Sequence, residues 1–220
     1  MSLGHVREEI CRLGQSLFDR GYTHGTSGNI SVLLDDGSMI VTPTNASLGN
    51  LDPADLCFLD AAGRVASGPA PTKELPLHSA LYRTRGAARA IVHLHSTHSV
   101  AASMLPDLDP TDVFPPLTAY YLMKVGRTVL LPYFRPGDPR VASAIDALQG
   151  QYSSILLANH GPVVSGLSLD EAVAAIEELE QTAKLFLLVG HCGPKLLNDE
   201  ESTALRKVQT QNASKRVPDA

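Results

Sequence analysis

The segment Ala90–Ser99, AIVHLHSTHS, constrains this chain more than any other. An apolar lead of Ala90, Ile91 and Val92 runs into His93-Leu94-His95, the pattern of a buried strand ending in a polar loop. Alternate residues of a strand share a face, so His93 and His95 point one way and Leu94 points into the core. The two histidines lie about 7 Å apart along the backbone by the strand rise, and their rings can converge on one metal ion. HxH alone reads equally well as two satisfied histidines at a strand end. Two further residues favour the metal: His160 of LLANHGP, at a second strand end, and Glu74 of PTKELPLH, just before a helix.

Zinc favours imidazole nitrogen and accepts carboxylate oxygen, so Glu74, His93, His95 and His160 would complete a four-coordinate shell. A carboxylate that swings away from the ion opens a position for substrate and can then serve as a base. His98, three residues beyond His95, reads as a further ligand or as a support for its neighbours. His5, His24, His78 and His191 read as surface or helix histidines.

At 220 residues and 44% apolar, the chain is long enough for one globular domain with its own core. A formal charge of −5 leaves no electrostatic footprint for nucleic acid. Cys11, Cys57 and Cys192 are far apart and form no CxxC, which suits a reducing cytoplasm and excludes a cysteine-built zinc site. No signal-peptide pattern and no apolar run of membrane-spanning length is present, so a cytoplasmic location is expected.

Helical spacing predicts a first helix with Val6, Ile10, Leu13 and Leu17 inward, after Ser2 and stopping at Gly21. Two hairpins follow, Ile30–Leu34 with Met39–Thr42 and Leu56–Leu59 with Arg64–Ala66. Helices are expected over Glu74–Tyr82, over Thr97–Leu105, and after Asp138 with Pro139 at the first position. Val129–Leu131, Ile155–Ala158 and Val163–Val164 read as strands, and Pro115–Gly126 carries mixed signals. Ser168 and Glu171 form a capping-box pair opening the longest helix, Leu169–Val189, whose acidic run Glu177, Glu178, Glu180 reads as a solvated side. The polar tail from about Gln209 is expected to fray. The pattern predicts one α/β domain with a mixed or largely antiparallel sheet.

Three loops, GTSGNIS, TPTNAS and PTKE, are rich in small and hydroxylated residues whose backbone and side-chain donors suit phosphate. Lys73 reads either as the cation that meets an anionic substrate or as an ordinary surface lysine.

The order GNIS, TPT, KE before a helix, HLHSTHS and NHG resembles the class II aldolase/adducin family over about Val6–Val189. VHLHSTHSVA and PPLTAYYLMKVG resemble its branch of 3-oxo-tetronate 4-phosphate decarboxylases. The resemblance implies a central, mainly antiparallel sheet flanked by helices, and a fourfold homotetramer with sites near subunit contacts. It implies Zn2+ or another divalent ion on His93, His95 and His160, with Glu74 as resting ligand and catalytic acid/base. It places Gly28, Asn29, Thr44, Asn45, Thr72 and Lys73 around the substrate phosphate, and Tyr120 as a second acid. The aldolases have two serines where Thr72 and Lys73 stand, and a glycine at Asn45.

The implied reaction is loss of CO2 from a phosphorylated 3-oxo sugar acid through an enediolate, giving dihydroxyacetone phosphate. A sugar-phosphate aldolase or epimerase of the fuculose- or ribulose-phosphate type shares that enediolate and is the alternative. A non-catalytic adducin-like module would be expected to lose metal ligands, and all four candidates are present here. A cupin-type oxygenase also uses HxH, but the long helices oppose its all-β barrel.

Overall fold

A computed structural model describes residues 2–214, with side chains to Lys207. Its centre is an eight-stranded sheet ordered β4-β3-β2-β1-β5-β8-β7-β6. The strands are β1 (Asn29–Leu33), β2 (Met39–Val41), β3 (Cys57–Leu59), β4 (Val65–Ser67), β5 (Ala90–His93), β6 (Thr128–Leu131), β7 (Ser154–Leu157) and β8 (Gly161–Gly166). Every pairing is antiparallel except β6 with β7. β5 therefore lies inside the sheet, between β1 and β8, and every one of its residues is buried.

Strand alternation sends successive side chains to two separate cores. Val92, Leu94, Ile30 and Val164 meet Ile10 and Leu17 of α1 (Leu3–Asp19) and Ile176 and Leu179 of α6 (Leu169–Val189). Ile91, Ile155 and Val163 meet Leu77 and Leu81 of α2 (Leu75–Thr84) and Val141 and Ile145 of α5 (Arg140–Ala147). His93 alternates with Val92 and so shares the α2 side with Ile91.

Start signals hold closely. The Ser2 side chain accepts from the His5 amide at the head of α1. Ser168 Oγ accepts from the Glu171 amide at 3.2 Å and Glu171 accepts from the Leu167 amide at 3.0 Å, so α6 spans the expected residues. Around Pro139 the start shifts by one: α5 begins at Arg140, whose amide donates to Asp138 Oδ1. The mixed stretch resolves as α4 (Ala119–Lys124), capped by Thr118, whose hydroxyl accepts from the Tyr121 amide.

Two expectations need correction. The helix after the HLH strand, α3 (Thr97–Ala102), ends three residues early. Glu180 is not on a solvated side: it is 8% exposed and accepts from the amides of His98 and Ser99 at 2.8 Å and from Ser99 Oγ at 2.7 Å. Its carboxylate thus supplies the N-terminal cap of α3, while Ser96, in the cap position, makes no capping bond. Helix α7 runs from Asp199 to Ser214, through the start of the tail expected to fray. Asn198 and Glu201 cap it reciprocally and its first turn is acidic. Residues 215–220 lie outside the described residues.

Ser168→Ala is expected to lower unfolding stability by roughly 0.5–2 kcal/mol, the usual loss of an N-cap, without changing metal content. Chemical denaturation checks this, and an unchanged midpoint would remove Ser168 from the cap.

Candidate metal centre

The ends of β5 and of the β7–β8 turn are pressed together by glycine. Leu157 pairs with Gly161, leaving Ala158-Asn159-His160 as the connection. Asn159 turns the chain at φ +55°, a left-handed conformation that Asn tolerates better than most residues. A Cβ at Gly161 would lie 2.2 Å from the Leu94 carbonyl oxygen, so only glycine permits this approach. On the other side, a Cβ at Gly28 (φ +83°) would meet the His93 carbonyl oxygen at 3.0 Å. The strand end is thus closed around by backbone from both neighbours.

His93, His95 and His160 converge through their Nε2 atoms. His95 lies 3.2 Å from His93, His160 lies 3.3 Å from His93, and His160 lies 3.1 Å from His95. Glu74, at the head of α2, places Oε2 3.1 Å from His93 and Oε1 3.3 Å from His160. An ion with metal–nitrogen bonds of about 2.0–2.1 Å has tetrahedral edges of about 3.3–3.4 Å. Nitrogens and oxygens already spaced that way, all imidazole and carboxylate, fit a divalent ion. His93 Nδ1 donates to the Pro162 carbonyl at 2.9 Å, which turns its Nε2 lone pair inward.

Burial, His93 and His160 hold the His95 imidazole down at about 3, and burial and His93 hold His160 down at about 4. Both imidazoles are neutral at physiological pH, the form that can bind a metal ion. Burial opposes ionisation of Glu74, but His93, His160 and the Asn29 amide outweigh it and keep the carboxyl well below its usual range. Burial also disfavours charge on His93, yet Glu74 outweighs it and raises that imidazole above its ordinary value.

The class II aldolase and adducin N-terminal domain model matches residues 8–187. The chain belongs to the class II aldolase/adducin family. It is 47% identical over 201 residues to the 3-oxo-tetronate 4-phosphate decarboxylase of Escherichia coli K12, covering 91% of this chain and 95% of that one. The decarboxylase of the same name from Cupriavidus necator is 48% identical over 205 residues, covering 91% and 94%. The crystal structure of YgbL from Escherichia coli superposes with a TM-score of 0.90 at 46% identity, over 93% of this chain and 99% of that one.

The structure brings the four expected metal donors together. His98 is not among them, because its Nδ1 pairs with Glu180 at 2.7 Å. Of the residues that the family assigns to phosphate, Gly28 has the packing reason given above. Asn29 is buried with both ends of its amide engaged: it donates to Glu74 Oε2 at 2.9 Å and accepts from His78 Nε2. Its side chain thus meets Glu74 and His78. Thr72 is buried beneath Glu74 and its hydroxyl accepts from the Glu74 amide, while Lys73 is exposed. Thr44 is half-buried and Asn45 is exposed at φ +59°, so asparagine preserves the left-handed turn where the aldolases use glycine.

Tyr120 is not brought to Glu74. Its neighbour Tyr121 is buried against Thr128, which turns Tyr120 outward, 63% exposed on α4. That helix packs on α6 and α7, while Glu74 belongs to the α2 side. The residues missed in the sequence are His78, Ser31 and Tyr82, and their signal was present. Glu74, His78 and Tyr82 recur every four residues on α2, facing Asn29 and Ser31 two apart on β1.

His95→Ala is expected to abolish binding of about one divalent ion per chain while the fold survives, as read by elemental analysis and circular dichroism. Full occupancy in that variant would contradict the site.

The raised His93 sets the pH dependence. A proton held by His93 competes with the ion for the same nitrogen, so affinity falls as pH falls, by about tenfold per unit once His93 is protonated. Titration calorimetry in buffers of different ionisation enthalpy should show proton release on binding that grows as pH is lowered; release that does not rise towards acid pH would contradict the assignment.

Proposed function

We propose that this chain is a metal-dependent carboxy-lyase converting a 3-oxo-tetronate 4-phosphate to dihydroxyacetone phosphate and CO2, with zinc as the ion. The observation that carries the reading is identity of 47–48% across nine-tenths of the chain to two decarboxylases of that name. The convergence of Glu74, His93, His95 and His160 supports it.

In such a substrate the carboxylate is β to the ketone. Breaking the C1–C2 bond releases CO2, and the electron pair passes to C2 and on to the 3-keto oxygen as an enediolate. A divalent ion held by the three histidines and Glu74 supplies a Lewis acid for that negative charge. No base is needed for bond cleavage, because the carboxylate arrives ionised. One proton must then be added at C2. Within a single chain Glu74 is the group placed to carry it from water, since its carboxylate already sits at the centre.

Lys73, beside Glu74 and exposed, offers fixed positive charge to the anionic substrate. We further propose a homotetramer in the cytoplasm, in which the exposed Tyr120 of an adjoining copy could serve as a second acid.

The test is turnover of the metal-loaded protein on 3-oxo-tetronate 4-phosphates against fuculose and ribulose phosphates. Equal yields of CO2 and dihydroxyacetone phosphate are expected. Faster cleavage of either sugar phosphate, with no CO2 from the oxo acid, would replace this reading with an aldolase. Lys73→Ala should raise KM or lower kcat/KM with the metal retained, and unchanged kinetics would return Lys73 to the surface.

A further inference from the structure

We propose that His78 is a positioning residue for Glu74: through Asn29 it fixes which end of a buried amide meets the carboxylate, and so holds that carboxylate at the metal centre. This rests on the reading of Glu74 as ligand and proton carrier.

The geometry begins with two matching repeats. Four residues of helix rise about 6 Å, and two residues of strand rise about 6.6 Å. Glu74, His78 and Tyr82 of α2 can therefore interleave with Asn29 and Ser31 of β1. Their relative exposures are 9%, 0%, 8%, 5% and 0%. At that burial each donor must find an acceptor inside the protein.

The direction of every bond follows from one end. An ionised carboxylate only accepts, so the Asn29 NH2 must face Glu74 Oε2, at 2.9 Å. Asn29 Oδ1 then faces His78 and can only accept, so His78 Nε2 must carry a hydrogen. A neutral imidazole has one N–H, which leaves Nδ1 bare to accept the Ser31 hydroxyl at 2.7 Å. The Tyr82 hydroxyl donates to the Ser31 carbonyl oxygen at 2.9 Å and lies 2.9 Å from Ser31 Oγ, packing the serine in place. Donation thus runs one way from the Ser31 hydroxyl to Glu74.

The ionisable groups near His78 are Tyr82, Glu74 and His93, and burial with His93 pushes the His78 imidazole down to about 3. It stays neutral, and its single proton makes it a directional link. With the tautomer reversed, Nδ1–H would meet Ser31 and bare Nε2 would meet Asn29. The amide would then be drawn round to set its oxygen against the Glu74 carboxylate. The proposed reaction uses neither His78 nor Ser31, yet both stand in line behind this one amide.

The test is 15N NMR of the His78 ring in the zinc-loaded protein, with zinc affinity and steady-state kinetics of His78→Leu, His78→Gln and Ser31→Ala. The wild type should show the Nε2–H tautomer. His78→Leu should lose roughly 10–100-fold in zinc affinity or kcat, as removal of such supporting partners does, with KM less affected. Glutamine can place an N–H near the Nε2 position, so His78→Gln should recover most of the loss. Ser31→Ala leaves the Asn29 end intact and should keep the Nε2–H tautomer. An Nδ1–H wild type, or a glutamine variant no better than the leucine one, would overturn the proposal. So would a folded His78→Leu protein with unaltered affinity and kcat. If the leucine variant fails to fold, the wild-type tautomer and its persistence in Ser31→Ala decide. Tautomer and zinc affinity require no substrate, so they stand apart from any failure of the decarboxylase assignment.

Discussion

Three imidazole nitrogens held 3.1–3.3 Å apart set their lone pairs against one another unless a cation or a proton lies among them. The rest of the structure is arranged to maintain that unfavourable approach. β5 is inside the sheet and cannot splay, His93 is pinned to the Pro162 carbonyl, and Gly161 allows β8 to come against the end of β5. A divalent ion among the three nitrogens and the Glu74 carboxylate would replace that repulsion with four attractions.

The two faces of the sheet divide the labour. On the α1 and α6 side the contacts are almost wholly apolar and fix the register of β5 through Val92 and Leu94. On the α2 side, apolar packing by Ile91, Leu77 and Leu81 gives way towards the strand end to Asn29, Ser31, His78 and Glu74. The polar row costs desolvation, and it is tolerable because each of its groups has a partner. The second α6 contribution is similar in kind: Glu180 reaches from the long helix to cap α3 directly after the HLH strand, tying the loop beyond His95 to the core.

The convergence of Glu74, His93, His95 and His160 was legible because strand alternation and strand-end context depend on a few adjacent residues. The capping pair Ser168 and Glu171 was legible for the same reason. Glu180 was misread because an acidic run suggests solvent, although it lies four residues after Ile176 and three before Ala183, within the apolar stripe. Tyr120 and Tyr121 could not be told apart until helix α4 had a defined inward face. His78 was taken for an ordinary helix histidine because its partners, Asn29 and Ser31, are more than forty residues away in the chain. The parallel β6–β7 pair and the sheet order likewise depend on long-range pairing that local periodicity does not encode.

The central claim is that Glu74, His93, His95 and His160 hold one divalent ion, and X-ray absorption at the metal edge of the purified protein tests it most directly. The account predicts a first shell of three imidazole nitrogens at about 2.0–2.1 Å with the remainder oxygen. A shell containing sulfur, or fewer than three imidazoles, would contradict it.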